Sequence, residues 1–132
     1  MWEQKIHVKS SLPKKDSQWS LFIGRWQPLH EGHKELFRQR IKEGGKVCIA
    51  IRDIEPDEKN PFSPQDVLLN IAHEMASELN AGKLKAIIIP DICSVEFGRG
   101  VGYDIIEHIP PAEIADISAT KIREQMKAEG KL

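Results

Sequence analysis

Two histidines lie three residues apart in the stretch LFIGRWQPLHEGHKELF, and side chains of this type could bind a metal or donate hydrogen bonds to a phosphate. His30 and His33 are separated by Glu31 and Gly32, and Arg25 stands five residues upstream of His30. A metal site would need a third ligand and both imidazoles on one helix face. Both cysteines lie in or beside apolar stretches, so no Cys/His cluster forms and no metal ligands are predicted.

Phosphate chemistry suits this pair of histidines better than metal binding. Gly32 lets the backbone approach a ligand closely. The helix that should begin here offers unpaired amide groups and the positive end of its dipole. Imidazoles at such a helix start can donate hydrogen bonds to phosphate oxygens as charge develops in a transition state. His30 and His33 are therefore the first candidates for catalytic side chains, although a plain helix start with two histidines would look the same.

The elements that must position these residues alternate in type along the chain. The apolar runs WSLFI, KVCIAI, LKAIIIP and SVEFG predict four strands. The segments EGHKELFRQRIKEGG, SPQDVLLNIAHEMASELNAG and SATKIREQMKAEGK predict three helices from their apolar spacing and end residues. This alternation predicts an α/β fold in one domain, with a Rossmann-like parallel sheet, helices on both faces and right-handed crossovers.

Residues 1–18 differ from the remainder of the chain in composition, since they combine lysines, serines and a proline with few apolar positions. We interpret them as an N-terminal arm or short edge strand. The main domain is then predicted to span residues 19–132.

The residues that follow each predicted strand should lie at the edge where parallel sheets bind ligands. They are Gly24, Arg25, Trp26, Gln27, Arg52, Asp53, Pro90, Asp91, Gly98 and Arg99. Three arginines should therefore meet at one edge of the sheet, beside the two histidines. The planar fork of a guanidinium matches phosphate oxygens, so this edge is predicted to bind phosphates. Arg52, Asp53 and Arg99 could instead be surface ion-pair partners.

Two segments of the chain resemble the signatures of a known enzyme family. GRWQPLHEGHKEL resembles the HxGH signature of the nucleotidyltransferase superfamily, and ISATKIREQM resembles its second signature, ISxTxxR. Both occur in the family's order, and the resemblance extends from Trp19 to about Met126. GRWQP is also similar to the GRFQP of nicotinamide-nucleotide adenylyltransferases, and KNPFSPQDV is similar to the NPF segment of adenylyltransferase relatives.

The resemblance implies a reaction in which a phosphate on an acceptor attacks the α-phosphorus of a nucleoside triphosphate and pyrophosphate leaves. Mg²⁺ is the implied cofactor, sharing the charge of the triphosphate. His33 is implied to stabilise the α-phosphate, while Ser118, Thr120 and Arg123 are implied to hold the β- and γ-phosphates. Ser118 and Thr120 could also cap the last helix, which is compatible with phosphate binding because the same amide groups serve both.

The predicted site residues fall into three overlapping groups. His30, His33 and Arg123 are predicted to be catalytic. The predicted nucleotide-binding residues are Ile23, Gly24, Arg25, Gln27, His30, Gly32, His33, Ile117, Ser118, Thr120 and Arg123. Those predicted to contact the acceptor are Trp26, Arg52, Asp53 and Arg99.

The GRWQP and NPF features favour transfer of an adenylyl group from ATP to a small phosphorylated molecule, with nicotinamide mononucleotide as the leading acceptor. One alternative is a cytidylyltransferase that uses CTP and a polyol or sugar phosphate, although such enzymes usually have a GTFD type of opening where this chain has GRWQ. Another is a nucleotide-binding module without catalysis.

Composition limits the other classes of partner. The formal net charge is -1, whereas a nucleic-acid binder would usually carry a strong basic excess. No apolar run is long enough to span a bilayer, and the N-terminus lacks the apolar middle region of a secretory signal. We therefore expect a cytoplasmic protein without nucleic-acid or membrane partners. Similar proteins of this size are often dimers, so a homodimer stays open.

Overall fold

The computed structural model describes residues 1–15, 17–98, 102–115 and 119–131. The strands are β1 (Glu3–Val8), β2 (Ser20–Gly24), β3 (Val47–Asp53), β4 (Leu84–Pro90) and β5 (Ile105–Ile109). The helices are α1 (Glu31–Lys42), α2 (Pro64–Glu74), α3 (Ala76–Asn80), α4 (Ala112–Ala115) and α5 (Ala119–Ala128). The fold is a mixed α/β arrangement around a parallel sheet.

Three of the four predicted strands form that parallel sheet, in the order β2-β3-β4. The fourth predicted strand, SVEFG, is wrong: residues 94–98 have no regular secondary structure. Val95 and Phe97 are 59% and 50% exposed, so this segment has no buried apolar face. Among the described residues, no strand pairs with it. The additional strand pair is β1 with β5, which run antiparallel in a separate two-stranded sheet.

Helices α1 and α2 pack against the same face of the parallel sheet. Side chains alternate across a strand, and Val47, Ile49 and Ile51 of β3 share one buried cluster with Phe37 of α1 and Ile71 of α2. Helices on both faces were predicted. Right-handed crossovers that add each strand on the same side place their helices on the same face, and a second face is covered only where the strand order reverses. The described sheet has no such reversal.

The loop that follows β2 is anchored in this core. Trp26 and Leu29 are buried members of the same cluster as Phe37 and the β3 side chains. Burying a large apolar side chain stabilises a fold by about 1.5–3 kcal/mol. The residues between Gly24 and His30 are therefore held to the sheet edge by packing.

The N-terminal segment is joined to α1 by a reciprocal pair of hydrogen bonds. The backbone N–H of Trp2 donates to Oε1 of Gln39 at 2.9 Å, and Nε2 of Gln39 donates to the carbonyl of Trp2 at 3.0 Å. Strand β1 then pairs with β5, with Glu3 opposite Ile109. The segment predicted to be an arm or edge strand thus contains a strand that lies beside α1.

The described helices are short. The longest, α1, has 12 residues, which corresponds to about 18 Å at 1.5 Å per residue. The hydrocarbon core of a bilayer is about 30 Å thick. Accordingly, no helix in the described ranges is long and apolar enough to span a membrane.

Candidate functional site

A cavity of about 410 Å³ opens at the carboxyl end of β2. Its lining residues are Ile23, Gly24, Arg25, Trp26, Gln27, His33, Lys59, Asn60 and Arg123. Three of these side chains are cationic, and no carboxylate lines the cavity among the described residues. The positive charge and the several hydrogen-bond donors of these side chains favour binding of an anion in this cavity.

The two histidines cap helix α1 reciprocally. His30 is the N-cap residue, and its Nδ1 accepts hydrogen bonds from the backbone N–H of Gly32 at 3.1 Å and of His33 at 3.4 Å. The backbone N–H of His30 donates in return to Nδ1 of His33 at 3.2 Å. The two rings stack with centroids 3.5 Å apart. This is a capping box built from imidazoles instead of a hydroxyl and a carboxylate.

This capping arrangement fixes where each imidazole can donate. In a neutral imidazole one ring nitrogen accepts and the other donates, so acceptance at Nδ1 leaves the proton on Nε2. Burial lowers the pKa of His33 to about 3, and the adjacent His30 contributes in the same direction. Burial also lowers the pKa of His30, against an opposing effect of Glu31. Both rings are therefore neutral near pH 7 and offer Nε2–H donors.

Trp26 forms the wall behind His33. Its φ is +52°, in the left-handed region that residues other than glycine rarely adopt. The residue is only 9% exposed, and its Nε1 donates to the carbonyl of Ala50 at 3.1 Å. Its ring packs edge to face against His33, with ring centroids 4.9 Å apart. Gly24 is required beside it, because a Cβ there would lie 2.9 Å from the Trp26 ring. Trp26, which is predicted to contact the acceptor, lines the cavity and also packs against His33.

Gln27 joins the two loops that border the cavity. Its Nε2 donates to the carbonyl of Phe62 at 2.8 Å, and its Oε1 accepts from the backbone N–H of Phe62 at 2.9 Å. The carbonyl of Gln27 accepts a hydrogen bond from Nη1 of Arg123 at 2.6 Å, and Nη2 of Arg123 donates to Oγ1 of Thr120 at 3.3 Å. Arg123 thereby brings the first turn of α5 to the loop after β2.

The structure brings most of the predicted nucleotide-binding residues to the cavity or next to it. Those that line it are Ile23, Gly24, Arg25, Gln27, His33 and Arg123. His30 and Thr120 form hydrogen bonds with the lining residues His33 and Arg123, and Gly32 donates to His30. Predicted residues Arg99, Ile117 and Ser118 lie outside the described residues.

Arg52 and Asp53, predicted to contact the acceptor, do not line this cavity. The guanidinium of Arg52 donates to Oδ1 of Asp91 from Nε at 3.0 Å and from Nη2 at 2.6 Å, and to the carbonyl of Ile92 at 2.9 Å. It ties the end of β3 to the end of β4. Asp53 is exposed at the end of β3.

Lys59 and Asn60 also line the cavity, although they were not among the predicted site residues. They belong to the loop between β3 and α2, which starts at the carboxyl edge of the sheet and ends in the NPF segment. That position was a usable signal, because loops at this edge carry ligand contacts. Lys59 supplies a third cation in addition to Arg25 and Arg123.

Curated proteins similar to this chain share one name. Nicotinamide-nucleotide adenylyltransferase of Methanocorpusculum labreanum is 33% identical over 72 residues, covering 53% of this chain and 40% of the relative. The enzyme of that name from Methanococcus aeolicus is 26% identical over 114 residues, 84% of this chain and 63% of the relative. The one from Methanolobus tindarius is 31% identical over 58 residues, 42% of this chain and 34% of the relative. Over part of its length, the chain is therefore similar to proteins named as nucleotidyltransferases.

The matched segments span less than two thirds of each of these relatives. No family model and no solved structure matches the chain. Both family signatures nevertheless reach the same cavity, since His33 from the first and Arg123 from the second line it together.

The described residues do not form a magnesium site made of protein alone. Mg²⁺ takes oxygen ligands, usually one or two carboxylates together with substrate phosphates. In the part of the chain that the structure describes, no group of three or more His, Cys, Asp or Glu side chains could hold a metal ion. The charged side chains that line the cavity, Arg25, Lys59 and Arg123, are all nitrogen donors.

Proposed function

We propose that this chain transfers the adenylyl group of ATP to a small phosphorylated molecule and releases pyrophosphate, with nicotinamide mononucleotide as the leading acceptor. The observation that supports it best is the 410 Å³ cavity in which Arg25, Lys59, Arg123 and His33 converge. We also propose that the parallel sheet, whose carboxyl edge forms this cavity, is the core of a Rossmann-like domain.

A phosphate nucleophile needs little activation, so the proposed chemistry depends on positioning and electrostatic stabilisation. Cations around the cavity would hold the phosphate oxygens of the triphosphate. The Nε2–H of His33 would donate to a nonbridging oxygen of the α-phosphate, where negative charge increases as the acceptor attacks. A neutral imidazole suits this task because it donates without forming an ion pair that would hold the ground state equally well.

We also propose the substrate pair and the cofactor that the resemblance implies. The names of the relatives favour ATP and nicotinamide mononucleotide over other substrate pairs. Mg²⁺ would come to the site on the triphosphate oxygens, because the described residues supply no carboxylate cluster for it. Addition of a chelator should therefore stop turnover without changing the fold.

A panel of substrate pairs tests the proposed reaction. Pyrophosphate release would be measured with ATP or CTP against nicotinamide mononucleotide, glycerol phosphate, a sugar phosphate and phosphopantetheine. We expect the largest kcat/KM for ATP with nicotinamide mononucleotide. A preference for CTP with a polyol or sugar phosphate would replace this proposal by the cytidylyltransferase alternative. Tight nucleotide binding without release from any pair would identify a non-catalytic binding module.

A further inference from the structure

The loop that carries Lys59 is closed by the carboxylate of Asp57. Oδ1 of Asp57 accepts hydrogen bonds from the backbone N–H of Lys59 at 2.9 Å and of Asn60 at 2.7 Å, and from Nδ2 of Asn60 at 3.2 Å. The backbone N–H of Asp57 donates to the carbonyl of Asn60 at 2.9 Å. One oxygen atom thus holds three donors, and a fourth bond closes the turn.

The residues held by this turn face the cavity, whereas Asp57 itself does not line it. Asn60 is buried and Lys59 is exposed, so the turn fixes one end of the Lys59 backbone against the core and leaves its side chain at the cavity. The hydrogen bond from the Asn60 backbone holds the pKa of Asp57 below its usual value, with Arg25 contributing in the same direction. Asp57 is therefore ionised at neutral pH, and charged acceptors form the stronger hydrogen bonds.

We propose that Asp57 is a positioning residue that orders residues 57–60 so that Lys59 can bind a phosphate group of the triphosphate. The inference rests on the proposed function only in its choice of ligand. Its physical basis is entropic: a loop ordered before the ligand arrives loses less freedom on binding than a loose one.

Glu58 provides a matched control from the same turn. It is the neighbouring carboxylate, its side chain is 88% exposed, and its ion pair with Lys127 is long at 3.8 Å. Glu58→Ala and Asp57→Ala remove the same charge from adjacent positions. Only Asp57→Ala removes the acceptor that closes the turn.

The test measures binding of inorganic tripolyphosphate to the full chain by calorimetry, alongside thermal unfolding. Asp57→Ala and Lys59→Ala should each weaken binding about tenfold, which corresponds to the loss of one charge-assisted contact. Asp57→Asn keeps an oxygen acceptor and should stay within about threefold of the wild type. Glu58→Ala should bind as the wild type does. The Asp57→Ala/Lys59→Ala double variant should bind no more weakly than Lys59→Ala, because Asp57 acts through Lys59.

Three results would overturn the inference: wild-type affinity in Asp57→Ala, equal loss in Asp57→Asn and Asp57→Ala, or additive losses in the double variant. If Asp57 only stabilised the fold, Asp57→Ala would lower the unfolding temperature, and its effect on tripolyphosphate binding would not depend on Lys59. A wild-type chain that binds tripolyphosphate but releases no pyrophosphate from any substrate pair would refute the proposed reaction alone. A wild-type chain that does not bind tripolyphosphate would contradict both proposals.

Discussion

His30 and His33 serve structure and chemistry through different atoms of the same rings. Their Nδ1 atoms complete the cap of α1, with contacts of 3.1–3.4 Å, and their Nε2 atoms are left to donate. Burial, which lowers the pKa of His33 to about 3, keeps this donor neutral. Loss of either ring would therefore disturb the helix start as well as the site.

Replacement of His33 by alanine tests the chemical role of the ring. In His33→Ala we expect kcat to fall by about 100-fold, since removing one donor to a developing oxyanion costs about that much. KM for the nucleotide should change little, because Arg25, Lys59 and Arg123 still line the cavity. Steady-state kinetics would measure both constants. His73→Ala, an exposed position on α2, serves as the control, and an unchanged kcat in His33→Ala would refute the catalytic role.

The sequence indicated the residue types at the site better than it indicated their partners. The resemblance to the HxGH and ISxTxxR signatures pointed to His33 and Arg123, and both residues line the cavity. Gln27, predicted to bind nucleotide, has both ends of its amide bonded to the backbone of Phe62. Lys59 was missed because only the residues directly after each strand were considered, whereas Lys59 lies further along the loop after β3 and is held there by the turn at Asp57.

At the scale of elements, the junction between β2 and α1 determines how the site is built. Gly24 ends the strand, Trp26 turns the chain with a φ of +52°, and His30 starts the helix. The Trp26 ring fills the space where a side chain at Gly24 would stand. Close packing at this junction links the strand end to the position of the His33 ring.

Gly24→Ala tests this packing. The added Cβ would lie 2.9 Å from the Trp26 ring, and overpacking of this kind costs about 1–3 kcal/mol. We expect the free energy of unfolding, measured by urea denaturation, to fall by that amount, and kcat to fall as Trp26 shifts against His33. Gly98→Ala is the control, because a Cβ there meets no atom of the described residues within 4 Å. Equal stability of the two variants would show that Trp26 adapts freely and does not fix His33.

The sequence predicted the elements of the parallel sheet well and their surroundings less well. LKAIIIP coincides with β4, and Ser63 caps α2 by accepting a hydrogen bond from the backbone N–H of Asp66 at 3.1 Å. Periodicity reports which residues are buried but not which strand lies beside which. It therefore could not reveal that SVEFG stays irregular or that β5 pairs with β1.

At the scale of the whole molecule, a nearly neutral chain concentrates positive charge at one edge of its sheet. The formal net charge is -1, yet the residues lining the cavity carry three cations and, among those described, no carboxylate. Composition argues against a strongly basic surface but cannot show a local field of this kind. The order of strands along the chain determines it, since each added strand brings its following loop to the same edge.

Tracing the phosphorus atoms of ATP tests the central claim most directly. ATP labelled at the α-phosphorus and ATP labelled at the γ-phosphorus would each be incubated with the chain and nicotinamide mononucleotide, and the products separated. We predict that the α-label moves to the acceptor product and the γ-label leaves in pyrophosphate. A γ-label found on the acceptor or in orthophosphate would contradict the account, because the site would then transfer or hydrolyse the terminal phosphate instead.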